Sequence, residues 1–294
     1  GTRSLIFMAV DYADNERMIT APLPAVLAVS AIIPSSAVSG TSVSAAVIGT
    51  DFDASATLAL ERSSVAQGTW TETGSFTQAR FLGTLTKLLD GRMLLAGGSS
   101  GGAEGVAATD VYDPATGLWT GGGPMLQGRN QFAAVRLLDG RVLAAGGQGP
   151  NAGPINTAEI YNPATGVWNA IAAMVYARTG PRLALLSDGR VLVSGGWDGG
   201  TTMPAAEIYD PKANTWSAAG TMSAGRIFPT MTVLRSGKVL VAGGNHDSGS
   251  NNSADLYDPA TNAWTATGAM GAGRGGHQAV ILPDGRVLVS GGGN

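Results

Sequence analysis

The chain has no cysteine, which removes disulfides, thiolate metal sites and cysteine nucleophiles from consideration. Histidine is nearly as scarce, with two in 294 residues. Charge is sparse as well: 13% of residues are Asp, Glu, Lys or Arg, and the formal net charge is −3. No run of lysine or arginine concentrates positive potential, so nucleic acid and acidic membrane surfaces are not expected partners. Long hydrophobic runs are also missing. The longest apolar stretch near the start, Leu5 to Val10, is too short to cross a bilayer or to serve as a signal peptide. A chain that begins at Gly1 instead of Met is expected to be processed or truncated. What the sequence does have is glycine, 44 of them, and 44% hydrophobic residues. At this length a substantial core can be buried, and the composition reads as all-β.

One phrase recurs five times. It is clearest at Leu185-Leu186-Ser187-Asp188-Gly189-Arg190-Val191-Leu192-Val193-Ser194-Gly195-Gly196, and its other copies centre on Asp90-Gly91-Arg92, Asp139-Gly140-Arg141, Ser236-Gly237-Lys238 and Asp284-Gly285-Arg286. The copies are spaced by 49, 49, 48 and 48 residues, a period that marks a repeat architecture. Each unit divides into four strand-like pieces. An apolar run leads into Asp-Gly, which between two such runs predicts a hairpin with a type I′ turn. The second strand ends on paired glycines, as expected where a neighbouring backbone or ring comes close. A variable loop follows, then a third strand ending in Tyr112, Tyr161, Tyr209 or Tyr257. The next turn ends on Gly117, Gly166, Asn214 or Asn262, and positive φ is expected at all four. The fourth strand carries Trp119, Trp168, Trp216 and Trp264, with Trp70 in the same register upstream, all expected in the core. Met125, Met174, Met222 and Met270 close the units as apolar plugs.

Four antiparallel strands per unit, with Gly-Gly, Tyr and Trp at fixed offsets, resemble the kelch repeat from Ala54 to the end. The resemblance implies a β-propeller with one four-stranded blade per repeat. His277 falls where that pattern often has His, while other copies have Gly83, Phe132, Pro181 and Pro229, so it reads as a repeat position and not as a ligand. Kelch enzymes of the galactose-oxidase type use copper with a Cys-crosslinked Tyr and two His ligands. Without cysteine, that chemistry is not expected, and neither a metal nor another cofactor is assigned.

The last unit stops after its second strand, at Gly291-Gly292-Gly293-Asn294, so its blade needs two strands from elsewhere. Residues 1–53 read as a degenerate repeat, with strands near Ser4–Tyr12, Met18–Ala21, Ala25–Ile33 and Ser42–Gly49. The first two would complete the C-terminal blade, which favours six blades in a ring closed by the N-terminal strands. The competing reading is five blades with an N-terminal β appendage, because residues 24–53 also resemble the opening strands of an IPT/TIG immunoglobulin-like domain. On either reading the propeller occupies residues 54–294.

Arg80, Arg129, Arg178, Arg226 and Arg274 begin the first strands, and Glu61, Asp110, Glu159, Glu207 and Asp255 sit two residues before the Tyr position. Each acid precedes an arginine by 19 residues, and pairing across that interval leaves no member single. The expectation is five structural ion pairs, each joining one blade's third strand to the next blade's first.

Repetition stops in the loops after Gly-Gly, at residues 99–106, 148–156, 197–204 and 245–253, so binding specificity is expected there. The candidates are Asn151, Trp197, Asp198, His246 and Asp247. Trp197 is a tryptophan outside the core register; with Asp198 it could stack on and hydrogen-bond a sugar, the competing reading being a ring folded over its own glycine-rich loop. His246 and Asp247, with Ser248 and Asn251, could reach a cation, as could Asp51 and Asp53, but neither set has a recognised ligand spacing. No Ser/His/Asp order, phosphate loop or zinc signature is present, and no catalytic residue is named. The expected role is a binding or structural module of an extracellular or cell-surface protein of bacterial type, with protein or glycan as partner. It could also be a subunit of an extracellular assembly. The alternative is a cofactor-free carbohydrate epimerase or lyase working in the propeller channel.

Overall fold

The computed structural model describes residues 72–293 apart from Ala103, together with the backbone of four strands nearer the N-terminus. The chain divides into two compact units between Thr71 and Glu72, and each is described by itself. In the first, β1 (Ser4–Val10) pairs with β2 (Glu16–Pro22), and β3 (Ala28–Ile33) pairs with β4 (Ala46–Thr50), both antiparallel. These strands fall within a few residues of the four expected. The number of blades, the closure of the ring, the boundary at residue 53, the immunoglobulin-like resemblance, Trp70, Glu61, Asp51 and Asp53 all rest on residues outside the described set.

The second unit is a succession of antiparallel sheets in sequence order. The first blade is β5 (Thr84–Lys87), β6 (Met93–Ala96), β7 (Thr109–Asp113) and β8 (Leu118–Gly121). The second is β9 (Ala133–Arg136), β10 (Val142–Ala145), β11 (Ala158–Asn162) and β12 (Val167–Ala170). The third is β13 (Arg182–Leu185), β14 (Val191–Ser194), β15 (Ala205–Asp210) and β16 (Thr215–Thr221). The fourth contains β17 (Thr230–Val233), β18 (Val239–Ala242), β21 (Ala254–Asp258) and β22 (Ala263–Thr267). Its second loop carries a small hairpin, β19 (Asn245–His246) with β20 (Gly249–Ser250). A half-blade, β23 (Gln278–Ile281) with β24 (Val287–Ser290), ends the chain. No helix occurs among the described residues, so none is long and apolar enough to cross a membrane.

The cores lie between blades. Leu94, Ala96 and Val111 of the first pack with Phe132, Val142 and Trp168 of the second. Leu143, Ile160 and Met174 meet Val191, Val193 and Tyr209 across the next junction, and Leu192, Ile208 and Met222 meet Val239, Val241 and Tyr257 across the one after. A sheet with apolar residues on both faces must be covered twice, and here each neighbour provides the cover. Met125, Met174 and Met222 plug these three seams, as the pattern suggested. Tyr and Trp pair across strands within each blade, with ring centroids 5.0–5.1 Å apart. The tryptophans are not buried alike: Trp168 is 2% exposed, a burial of about 200 Å² worth up to about 5 kcal/mol, while Trp119, Trp216 and Trp264 are half-buried. The indole N–H of Trp168, Trp216 and Trp264 donates back toward the preceding repeat, to Thr109 Oγ1, Ala172 O and Ala219 O.

The Asp-Gly turns need a correction. Leu137 N donates to Arg141 O at 2.8 Å and Gly140 N to Leu137 O at 3.1 Å, leaving the three-residue loop Leu138-Asp139-Gly140. Gly140 has φ of 89°, whereas Leu138 and Asp139 are not in the left-handed region. This is a type I turn followed by a left-handed glycine, not type I′. Asp is kept in right-handed geometry by its own side chain, since Asp139 Oδ1 accepts from Arg141 N and Oδ2 from Arg141 Nε. Positive φ is found at Gly117, Gly166, Asn214 and Asn262, as expected.

Candidate functional site on the loop face

The arginines expected to begin the first strands lie four residues before them, and they have two jobs. Their backbone joins neighbouring blades: Gly98, Gly147, Gly196 and Gly244 donate their N–H to Arg129 O, Arg178 O, Arg226 O and Arg274 O of the following blade at 2.8–2.9 Å. The glycine before each donor is equally constrained. A Cβ on Gly146 would lie 2.7 Å from Arg178 O, and one on Gly195 2.6 Å from Arg226 O, so the Gly-Gly ends exist to let the next backbone in.

The side chain works inside its own blade, against expectation. Arg80 pairs with Asp110 at 2.6 Å, Arg129 with Glu159 at 2.6 Å, Arg178 with Glu207 at 2.9 Å and Arg226 with Asp255 at 2.5 Å. Asp110 with Arg129, Glu159 with Arg178, Glu207 with Arg226 and Asp255 with Arg274 form no ion pairs. The expected inter-blade pairing is therefore replaced by pairing of first and third strands within a blade. An interval of 19 in a period of 48 or 49 has a complement of 29 or 30, so spacing alone could not separate the two. Of the remaining members, Arg274 donates Nη1 to Gly291 O, and Glu61 is outside the described residues.

The pairs are buried and well bonded. Arg178 Nη1 donates to Gly195 O at 2.9 Å and Ala205 O at 3.0 Å, while Glu207 accepts from Val175 N at 2.7 Å and Tyr176 N at 3.3 Å. Each such pair thus ties the segment leading into a blade to its second and third strands. Burial pulls the guanidinium pKa of Arg129, Arg178 and Arg226 down, against the opposing pull of their carboxylates. Every one of these arginines is committed to the scaffold.

The variable loops leave the same end of each blade. Thr179 and Trp197 exchange backbone hydrogen bonds at 2.9 Å, and Asn130 with Gln148 and Ile227 with Asn245 do so at 2.8–3.1 Å, so each loop starts beside the segment leading into an inner strand. Asn151 is exposed at the tip of a turn in which Gln148 Nε2 donates to Ala152 O. Trp197 is half-buried and Asp198 exposed. Asp198 Oδ1 accepts from Gly200 N and Thr201 N at 2.8 Å, and those bonds hold its carboxyl below the usual range. His246 Nδ1 lies 3.1 Å from Ser248 Oγ. Asp247 Oδ1 accepts from Thr202 N at 2.9 Å, linking the loops of the third and fourth blades. The structure therefore brings Asp247 to the 197–204 loop, while Asp198 and His246 each brace their own loop.

The inner rim of this face was not foreseen. Leu82, Gln131, Gly180, Phe228 and Gly276, each two residues after a blade's first arginine, all have positive φ, between 49° and 68°. They are linked around the rim: Gln131 N donates to Leu82 O at 3.2 Å, Gly180 N to Gln131 O at 2.7 Å, and Phe228 N to Gly180 O at 3.1 Å. Leu, Gln and Phe rarely adopt this conformation, and the inter-blade hydrogen bonds hold them there. The Phe228 ring lies over Gly180, where a Cβ would meet it at 2.7 Å. Beside it stands Arg182, its guanidinium carbon 5.9 Å from the ring centroid, with Nη1 donating to Pro181 O at 3.2 Å. His277, 2% exposed, packs against Gly243 and lies 3.1 Å from Thr230 Oγ1. Burial, followed by the charges of Arg274 and Arg182, lowers its pKa.

With this geometry in place the comparisons agree on the class. Residues 129–175 and 179–223 match the Kelch motif, and the described residues build four-stranded antiparallel blades of the kelch-propeller kind. Among solved structures the chain is similar to YjhT, at 19% identity and a TM-score of 0.61, over 74% of each chain. It also aligns with a copper-bound fungal alcohol oxidase of the AA5 family, at 18% identity and a TM-score of 0.49, over 74% of this chain and 59% of that one. No curated protein matches the chain. A copper centre does not fit the side chains present. Cysteine is absent, His277 is enclosed between Gly243 and Thr230, and His246 is engaged with Ser248. Among the described residues no three His, Cys, Asp or Glu side chains are grouped to hold a metal ion.

Proposed function

We propose that this propeller is a non-catalytic recognition module of an extracellular or cell-surface protein, engaging a protein or glycan through the loops at residues 148–156, 197–204 and 245–253. One observation carries the reading: the geometry shared by the repeats is spent on construction, while the exposed polar and aromatic groups that differ between units converge on one face. Buried arginines and carboxylates neutralise one another inside the blades. The loops are braced by their own hydrogen bonds and by the Asp247 to Thr202 link, so they form a preorganised surface, which lowers the entropy cost of binding. Trp197 offers a half-buried ring and Asn151 an exposed amide on adjoining loops. The test is a screen of the full chain on glycan arrays and displayed peptides, with product analysis of every bound ligand. Saturable binding weakened at least tenfold by Trp197→Ala, with the ligand recovered intact, supports the reading. Conversion of a bound glycan overturns it in favour of the carbohydrate-enzyme alternative.

A further inference from the structure

Three arginines on the inner strands and their approaches, Arg136, Arg182 and Arg274, pair with no carboxylate among the described residues, and of these Arg182 is the one set against an aromatic ring. Its register equivalents in the other units are Thr84, Ala133, Thr230 and Gln278, none of them charged. Arg80, Arg129, Arg178 and Arg226 each hold a carboxylate and carbonyl oxygens. Arg182 holds the carbonyl of its own neighbour, Pro181, and has no carboxylate partner among the described residues. A guanidinium has five N–H donors in a rigid fork and does not deprotonate in proteins, so a partly buried one without a counterion is costly. Burial drives its pKa down with no opposing carboxylate.

Phe228 lies against Gly180, and the Arg182 guanidinium carbon sits over its ring, 5.9 Å from the centroid. His277, near enough for the Arg182 charge to contribute to lowering its pKa, is enclosed with Thr230 and brings no negative charge to this corner. Arg182 is four residues beyond Arg178 and three beyond Thr179, whose backbone is bonded to Trp197, which sets it near the inner end of the loop face. We propose that Arg182 anchors a carboxylate-binding site there, with Phe228 as its stacking wall. A carboxylate is planar and accepts two parallel N–H bonds, which matches the fork left free by the single bond to Pro181 O. The carboxylate belongs either to a small molecule or to an acidic side chain of a protein partner. The site does not depend on the loop-face reading, because the loops could recognise a neutral ligand with Arg182 silent.

The experiment uses the full chain and follows the Arg182 Nε–H resonance, assigned by its loss in Arg182→Lys. It is titrated with sodium acetate, a hexaglutamate peptide, inorganic phosphate and sodium chloride at matched ionic strength. The expected result is a saturable shift with acetate at millimolar concentration, beyond that with chloride, and at least a tenfold weaker dissociation constant in Arg182→Gln read on neighbouring amides. Arg92→Gln, in an exposed turn, leaves the constant unchanged. Tighter binding of hexaglutamate than of acetate assigns the carboxylate to a protein partner, and equal or weaker binding assigns it to a small molecule. If Arg182→Gln melts, Arg182→Lys serves instead, and it binds acetate more weakly because an ammonium lacks the fork. No saturation with either carboxylate, saturation with phosphate alone, or unchanged affinity in both variants overturns the proposal.

Discussion

The clamp inside each blade makes a quantitative prediction for Arg178 and Glu207. The two side chains are 0% and 1% exposed and 2.9 Å apart. Glu207→Gln keeps an acceptor for Arg178 but leaves a buried guanidinium uncompensated, and removing one partner of a buried pair costs about 3–5 kcal/mol. Arg178→Met leaves the Glu207 carboxylate unbalanced and frees Gly195 O and Ala205 O, and each buried unsatisfied carbonyl adds about 1–3 kcal/mol. The single variants should therefore lose at least about 3 kcal/mol each, a drop of roughly 6–12 °C in Tm for a unit of this size. The double variant should lose clearly less than the sum, with a coupling energy of about 2 kcal/mol or more. A second cycle between Arg178 and Glu159, the pair 19 residues apart that the sequence suggested, should give coupling below about 0.5 kcal/mol, as for residues without contact. Urea unfolding of the four variants in each cycle is the assay. Coupling in the Arg178–Glu159 cycle that matches or exceeds the Arg178–Glu207 value refutes the clamp within the blade.

Two further outcomes follow from the seams between blades. Gly146→Ala should destabilise by about 2–5 kcal/mol in chemical denaturation, because its φ of 66° is strained for alanine and its Cβ would meet Arg178 O. Gly117→Ala, at nearly the same φ but with nothing within 4 Å, should lose only about 1 kcal/mol. His277 has a folded pKa below its unfolded value, so the unfolded chain takes up the proton first and stability falls as pH drops below about 6.5. His277→Phe places there the residue that the second blade already carries as Phe132, packed against Gly97. The substitution should remove that slope between pH 7 and 5 in thermal melts, and persistence of the slope would place the titrating group elsewhere.

The repeat, the strand order, the left-handed turn ends and the tight glycines were legible because each depends on local chemistry repeated at one interval. Gly195-Gly196 and Asn214 announce their backbone by residue type. The Asp-Gly turn was half legible, since a left-handed glycine suits more than one turn and only the Asp139 side-chain bonds select the type found. Arg178 was rightly singled out, but periodicity made its two carboxylate neighbours equivalent on paper, and only the folded blade decides between Glu159 and Glu207. The rim of left-handed residues left almost no trace. Gly180 and Gly276 hinted at it, yet Leu82, Gln131 and Phe228 are held there by bonds to neighbouring blades, which no local pattern encodes. Arg182 was hidden for the converse reason: it is a departure from the repeat at a position where the other units vary among Thr, Ala and Gln. The loops were legible as places, and Asp247 reaching Thr202 shows how two of them are coupled.

The most direct test of the account is hydrogen–deuterium exchange of the full chain with and without a ligand recovered from the binding screen. The account predicts protection confined to residues 148–156, 197–204 and 245–253 and the adjoining inner rim at Gly180 and Phe228. Protection centred instead on the Asp-Gly turns, at residues 88–92, 137–141 and 186–190, with the loops unchanged, would contradict it.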